Sequence, residues 1–233
     1  MMRRLAVIVA IALIALIFTG LVRDYAEQAA LRPLAEEYVK SVPGDLGAPN
    51  VITGILLTFR AFDTLGEVAV LFMVAAGVGL VLSGGGKTEG AADERKKEER
   101  KPASELVRSG ADILLPLIFI FAAYIIMNGH LSAGGGFQGG AVIASGVMLL
   151  LLAKPATTLA QDFLSFSESL AGVLFVLVGG AGLVFAGGFL DNRVLPLGEF
   201  GTFFSAGAIP VISILLGIKV GAELSVIIDR FRN

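Results

Sequence analysis

A chain of 233 residues in which 55% are hydrophobic and only 16% charged, with a mean hydropathy of +0.83, falls well short of the roughly 25% charge that a water-facing surface imposes on soluble domains. The absence of cysteine excludes disulfides, thiolate metal sites and iron–sulfur ligation by this chain, and one histidine, His130, cannot alone build a catalytic metal centre. A formal net charge of −2 gives no electrostatic case for nucleic acid.

Apolar stretches in chain order predict an all-α integral membrane bundle of about six transmembrane helices, over about 4–22, 51–82, 106–128, 137–153, 168–190 and 204–228. A helix needs roughly 20 apolar residues to cross about 30 Å of hydrocarbon. The first stretch follows Met1-Met2-Arg3-Arg4, as a secretory signal would. Its length, and the lack of an A-x-A-like site before Arg23-Asp24, favour a retained anchor helix. Pro33, Pro43 and Pro49 punctuate the loop at 23–50, whose middle, Leu31 to Val39, suits a short interfacial helix. The stretch at 51–82 would measure roughly 48 Å as one straight helix. It is therefore expected to start outside the bilayer or to break near Gly54 or Gly66. Gly84 to Ser104 is glycine-rich and then densely charged, the composition of a solvated linker. It divides a two-helix unit, 1–83, from a four-helix unit, 105–233. With both termini cytoplasmic, twelve lysines and arginines fall inside and four outside, as the positive-inside rule requires of a multi-pass protein of the cytoplasmic membrane.

An ionisable group within a span is costly unless paired or hydrated, so each is a candidate. Arg60, Asp63 and Glu67, three and four residues apart, share one helical face. Counted from the inner end at 82, Glu67 falls roughly 22 Å deep, near the midplane. Either it is a protonatable or cation-binding carboxylate on an ion path whose field Arg60 and Asp63 shape, or Arg60 and Asp63 form an interfacial salt bridge and Glu67 bonds a neighbouring subunit. Five glycines lie between 134 and 140, and Gly136, Gly140 and Ala144 recur every four residues as a small-residue face for helix packing. His130 either exchanges protons near neutral pH or caps backbone carbonyls at the interface. Lys219 and Glu223, four residues apart in the last span, form either a proton-relay element or a static pair. Their place near the inner end would let Lys219 snorkel. Two nucleotide-binding look-alikes fail. Gly134, Gly136 and Gly139 follow a membrane helix where a strand is required, and Gly86-Lys87-Thr88 has Val81 in place of its first glycine.

The run Gly129-His130 through Gly134-Gly135-Gly136-Phe137-Gln138-Gly139-Gly140 resembles the signature of the MnhB/MrpB family, subunits of multi-subunit sodium/proton antiporters. That resemblance covers about 104–230, with Ala133 where proline is usual. Separately, Asn50 to Val78, with Phe59-Arg60-Ala61-Phe62-Asp63-Thr64-Leu65-Gly66-Glu67, resembles the C-terminal end of the large MrpA antiporter subunit; that match covers about 1–82. Joined on one chain, the two resemble the Mrp-like membrane modules of archaeal membrane-bound hydrogenases and sulfane reductases. The resemblance implies a non-redox membrane subunit without a cofactor of its own, contributing to translocation of Na+ (or H+). Its implied partners are other Mrp-like antiporter subunits and a redox module with iron–sulfur clusters. Glu67, Asp63, Arg60 and His130 are the positions it carries forward. The rival readings are a structural docking subunit with no ion path, a subunit of a plain Na+/H+ antiporter, and a stand-alone carrier. The lack of inverted halves argues against the last.

Overall fold

The computed structural model describes residues 2–25, 30–83 and 103–232, and among them every regular element is helical. The helices are α1 (Met2–Asp24), α2 (Pro33–Leu46), α3 (Val51–Gly54), α4 (Ala61–Ser83), α5 (Glu105–Met127), α6 (Gly136–Ala153), α7 (Gln161–Phe185) and α8 (Ile209–Arg232). A π-helical turn, Ile55–Phe59, joins α3 to α4, and a 3-10 turn, Asn192–Val194, lies between α7 and α8. Six of these helices, α1 and α4 to α8, are long and apolar enough to cross a membrane. The linker expected at 84–104 lies outside the described residues apart from its last two, where Ser104 caps α5 by accepting from the Val107 N–H.

The chain divides into Met1–Glu37 and Tyr38–Asn233. In the first unit, α1 is apolar around its whole circumference, and Thr19 returns its hydroxyl to the Ala15 carbonyl at 2.7 Å. In the second, α8 is the hub, packed by α6, α7, α4 and α5. Its Ile209, Ile212, Leu216, Val220 and Val226 are buried. Helix α6 approaches closely because its facing residues are small. A Cβ on Gly136 would collide with the Ser213 carbonyl oxygen, and one on Gly140 would stand 2.9 Å from the Gly221 nitrogen. Ala144 continues this buried face one turn on. Such contact gains dispersion where lipid offers no hydrophobic drive between helices.

At the end of the unit that carries the loop 128–135 (the glycine-loop end), buried amides join the connections. Asn50 caps α3 and donates to the Gly129 and Ser132 carbonyls at 2.8 and 2.7 Å. Asn192, fully buried, donates to the Leu46 and Ala206 carbonyls at 2.8 and 2.9 Å. These bonds give loop carbonyls polar partners, shared at Gly129 with the Thr53 hydroxyl and at Ala206 with the Ile209 N–H.

Several boundaries differ from the sequence expectation. The stretch at 51–82 does break, but at Arg60, where the Arg60 N–H reaches back five residues to Ile55 at 2.7 Å and the Thr64 hydroxyl meets the Leu56 carbonyl at 2.8 Å. Gly54 instead seats Val42, whose Cγ1 fills the place an added Cβ would take, and Gly66 is open. The short helix expected at 31–39 is α2, which runs on through Pro43 to Leu46. The fifth span begins at Gln161, seven residues before the apolar run suggests. The last begins at Ile209, because Ala206 and Gly207 take positive φ (64° and 57°) and turn the chain just before it.

Candidate functional site

Two groups of ionisable side chains lie within the helices. The first centres on Glu67. Because the membrane helix begins at Ala61, Glu67 is six residues in, roughly 9 Å from the glycine-loop end. The break at Arg60 thus places it in the third of α4 nearest that end, away from the middle of the helix. Glu67 is exposed on the flank of α4 and lines a cavity of 330 Å³ together with Thr53, Thr64, Gln138 and the backbone of Gly134 to Gly136. Gly134 and Gly135 hold φ of 151° and 141°, a conformation that keeps side chains out of the cavity wall. Arg60 and Asp63 pair with each other at the bend, both well exposed, and neither lines this cavity.

His130 does not line it either. The ring is fully buried behind the loop and edge-on to Phe203, with centroids 6.5 Å apart. Neither ring nitrogen has a hydrogen bond of good geometry. Burial lowers its pKa below the ordinary value, outweighing the nearby backbone of Thr202, Phe203 and Met127, which acts in the opposite direction. Burial thus favours the neutral form of the ring. Its main chain is structural: the His130 carbonyl accepts from the Asn50 N–H at 3.0 Å.

The second group centres on Lys219. Counted from Ile209, Lys219 lies roughly 15 Å along α8 and is buried at mid-helix. It does not snorkel: the apolar run from 204 places the span five residues too early, and so Lys219 too near its end. Its ammonium lies 3.0 Å from Glu223 Oε2 and 3.4 Å from Glu168 Oε1. It also sits 5.7 Å from the centre of the Phe72 ring. Glu168, on α7, is not among the sequence-derived candidates, because a span begun at 168 puts it at the membrane edge. The signal that marks it is the spacing Glu168, Gly172, Phe175 and Gly179, one helical face that turns to α8.

Polar contacts also close both ends of this unit. At the glycine-loop end, Asp191 accepts from the N–H groups of Gly187 and Arg193 and pairs with the Arg193 guanidinium at 2.5 Å. The guanidinium, chiefly, holds its carboxyl down at about 2. At the other end, Asp229 accepts from Gln161 at 2.7 Å and Arg232 at 2.9 Å, and Arg230 donates to the Ala75 carbonyl on α4 at 3.1 Å. Arg230 fits there because Gly79 has no side chain: an added Cβ would collide with its Nη1.

Two family models match separate parts of the chain. Residues 106–226 match that of a domain related to the MnhB subunit of Na+/H+ antiporters, and residues 2–84 match that of MbhE, one of the subunits of MBH. An uncharacterized protein of Methanocaldococcus jannaschii is 29% identical over 197 residues, which is 76% of this chain and 74% of that one. A Na(+)/H(+) antiporter subunit of Bacillus subtilis is 34% identical over 88 residues, 38% of this chain and 56% of its own. Among solved structures, a chain of the membrane-bound sulfane sulfur reductase, an archaeal respiratory membrane complex, superposes with a TM-score of 0.77 at 33% identity. The superposition covers 99% of this chain and 98% of that one.

Proposed function

The chain belongs to the family built on the MnhB-related domain, and from that premise we propose that it is a non-redox membrane subunit of a multi-subunit assembly in which movement of Na+ or H+ is coupled to a redox module. Its partners in this reading are other Mrp-like antiporter subunits and a redox arm carrying iron–sulfur clusters. The chain sits in the cell membrane with both termini cytoplasmic, an orientation supported by the twelve-to-four distribution of its basic residues. The organisation proposed is an MrpA-like pair of helices at 1–83 and an MnhB-like unit at 105–233, joined by the charged linker 84–104. The limits of the two family matches support that division.

One observation carries the ion-path reading. Glu67, a carboxylate within a membrane helix, is exposed on the flank of α4 and borders a cavity whose other polar groups are Thr53, Thr64, Gln138 and glycine backbone. Facing lipid, a carboxylate there would be expensive. Facing a neighbouring subunit across a hydrated cavity, it offers a place for a cation to pause. Arg60 and Asp63 stand toward the membrane surface from it and set the local field. The carboxylate needs no redox chemistry of its own: it binds and releases a cation that the neighbouring subunits move.

The test is gentle purification from the native membrane through a tag on this chain, followed by mass spectrometry and metal analysis. Antiporter-type subunits together with an iron–sulfur protein are expected. Recovery of antiporter-type subunits without any redox protein would replace the proposal with a plain Na+/H+ antiporter, and recovery of this chain alone as a functional unit would overturn both.

A further inference from the structure

Glu223 is fully buried, and while its Oε2 accepts from Lys219, its Oε1 has no hydrogen-bond partner among the described residues. The charges that act on it are Lys219 and Glu168. The other elements packed on α8 bring no compensating charge to this level. Helix α6 has no titratable residue along its length, and α5 carries Glu105, Arg108 and Asp112 only near its start, where Asp112 pairs with Lys154 at 2.6 Å. Helix α4 presents Phe72 here, with Glu67 and Asp63 farther toward the glycine-loop end. Two carboxylates therefore surround one ammonium, and one negative charge is left over in a setting that cannot solvate it.

The cluster is also accessible from one side. A cavity of 460 Å³ lies between α4 and α7, lined by Phe72, Ser169, Gly172 and Val176 and bordered by Glu168 and Lys219. Gly172 leaves the space that the lysine stem occupies, since an added Cβ would stand 3.6 Å from Lys219 Cδ. Glu168 thus faces the cavity while Glu223 is sealed behind Lys219.

We infer that Glu168, Lys219 and Glu223 form a proton-binding station in which one exchangeable proton is shared between the two carboxylates. The inference deepens the ion-path reading above and rests on it. A proton arriving through the cavity binds the Glu168 carboxylate. Lys219 then donates a proton to Glu223 and regains one from Glu168. The start is a Glu168 carboxyl, a Lys219 ammonium and a Glu223 carboxylate; the end is a Glu168 carboxylate, the same ammonium and a Glu223 carboxyl. Charge and atoms balance: the cluster carries one negative charge before the proton binds and is neutral from its arrival through the internal transfer. A proton suits the site better than Na+, because the ammonium already occupies the space between the carboxylates and would repel a metal cation.

The test uses the whole assembly reconstituted in lipid vesicles, with Glu168→Gln and Glu223→Gln compared with Glu67→Gln. Glu168→Gln is expected to assemble, to slow coupled transport by about tenfold or more and to shift its pH profile. Infrared spectra of the complex should show a protonated-carboxyl band that shifts in D2O and is missing from Glu223→Gln. If Glu223→Gln does not assemble, Glu168→Gln and the wild-type band still decide the matter. Transport with a wild-type rate and pH profile in Glu168→Gln, while Glu67→Gln is blocked, would overturn the station and leave the ion path standing. Silence of both variants would overturn the ion-path reading itself. A wild-type complex with no D2O-sensitive carboxyl band would show a static, fully ionised cluster and overturn the inference.

Discussion

Helices α4 and α8 both carry ionisable residues into the membrane, and they treat them in opposite ways. On α8, the hub, Lys219 and Glu223 are buried and meet Glu168 inside the chain. On α4, at the flank, Glu67 is exposed and faces a cavity. A charge enclosed by its own chain has its partners encoded in the same sequence. A charge on a flank depends on what covers that flank, so α8 reads as a self-contained element and α4 as one face of a site completed by a neighbour.

The largest effect expected from breaking this contrast is at the glycines. Gly140→Leu forces a side chain into a place where even a Cβ lies 2.8 Å from Val220 Cβ. It should cost about 3 kcal/mol, the upper end of overpacking, and deplete the protein from the membrane. On α4, a Cβ added at Gly66 meets nothing within 4 Å among the described residues, so for Gly66→Leu immunoblotting should show normal accumulation of the chain, with any loss confined to its assembly with other subunits. Equal depletion in the two variants would erase the distinction between hub and flank.

A smaller effect sharpens the contrast at the glycine-loop end. Asn192→Ala strands the buried Leu46 carbonyl and leaves the Ala206 carbonyl with the Ile209 N–H alone, and it should lower stability by about 2 kcal/mol, read as a fall in the thermal unfolding midpoint in detergent.

The smallest is a pH effect at Asp191. Its folded-state pKa, about 2, lies below the ordinary value of 3.8. The stabilisation is therefore complete above about pH 4 and is lost as pH falls through about 2. The loss amounts to about 2 kcal/mol at most, since Arg193 is half exposed and solvent screens the pair. Asp191→Asn should flatten that part of the acid-unfolding curve. His130 follows the same sign by a different route: its lowered pKa means that stability is gained above the ordinary value of 6.5 and falls as pH drops below it.

Hydropathy made the membrane bundle legible, because lipid imposes helices of a set length on any chain that crosses it. The four-residue recurrence of Gly136, Gly140 and Ala144 likewise exposed a packing face, because close backbone approach leaves a compositional trace. The break in the 51–82 stretch was visible as excess length, but its position was not. It is set by a π-helical turn and the Thr64–Leu56 hydrogen bond, which no glycine or proline announces. That displacement moved Glu67 away from the middle of its helix. Glu168 escaped notice because polar residues at the start of α7 made the apolar run look shorter than the helix. Asn192 and Asp191 escaped because their roles depend on carbonyls and a guanidinium that only the folded loops bring to them.

The central claim is that Glu67 stands on an ion path coupled to a redox module. The most direct measurement is redox-driven Na+ uptake, with H+ movement followed in parallel, by vesicles containing the whole assembly with Glu67→Gln. Normal assembly and electron transfer with coupled ion transport abolished is the result predicted. Transport at the wild-type rate in that variant would contradict the account and leave this chain with a structural role alone.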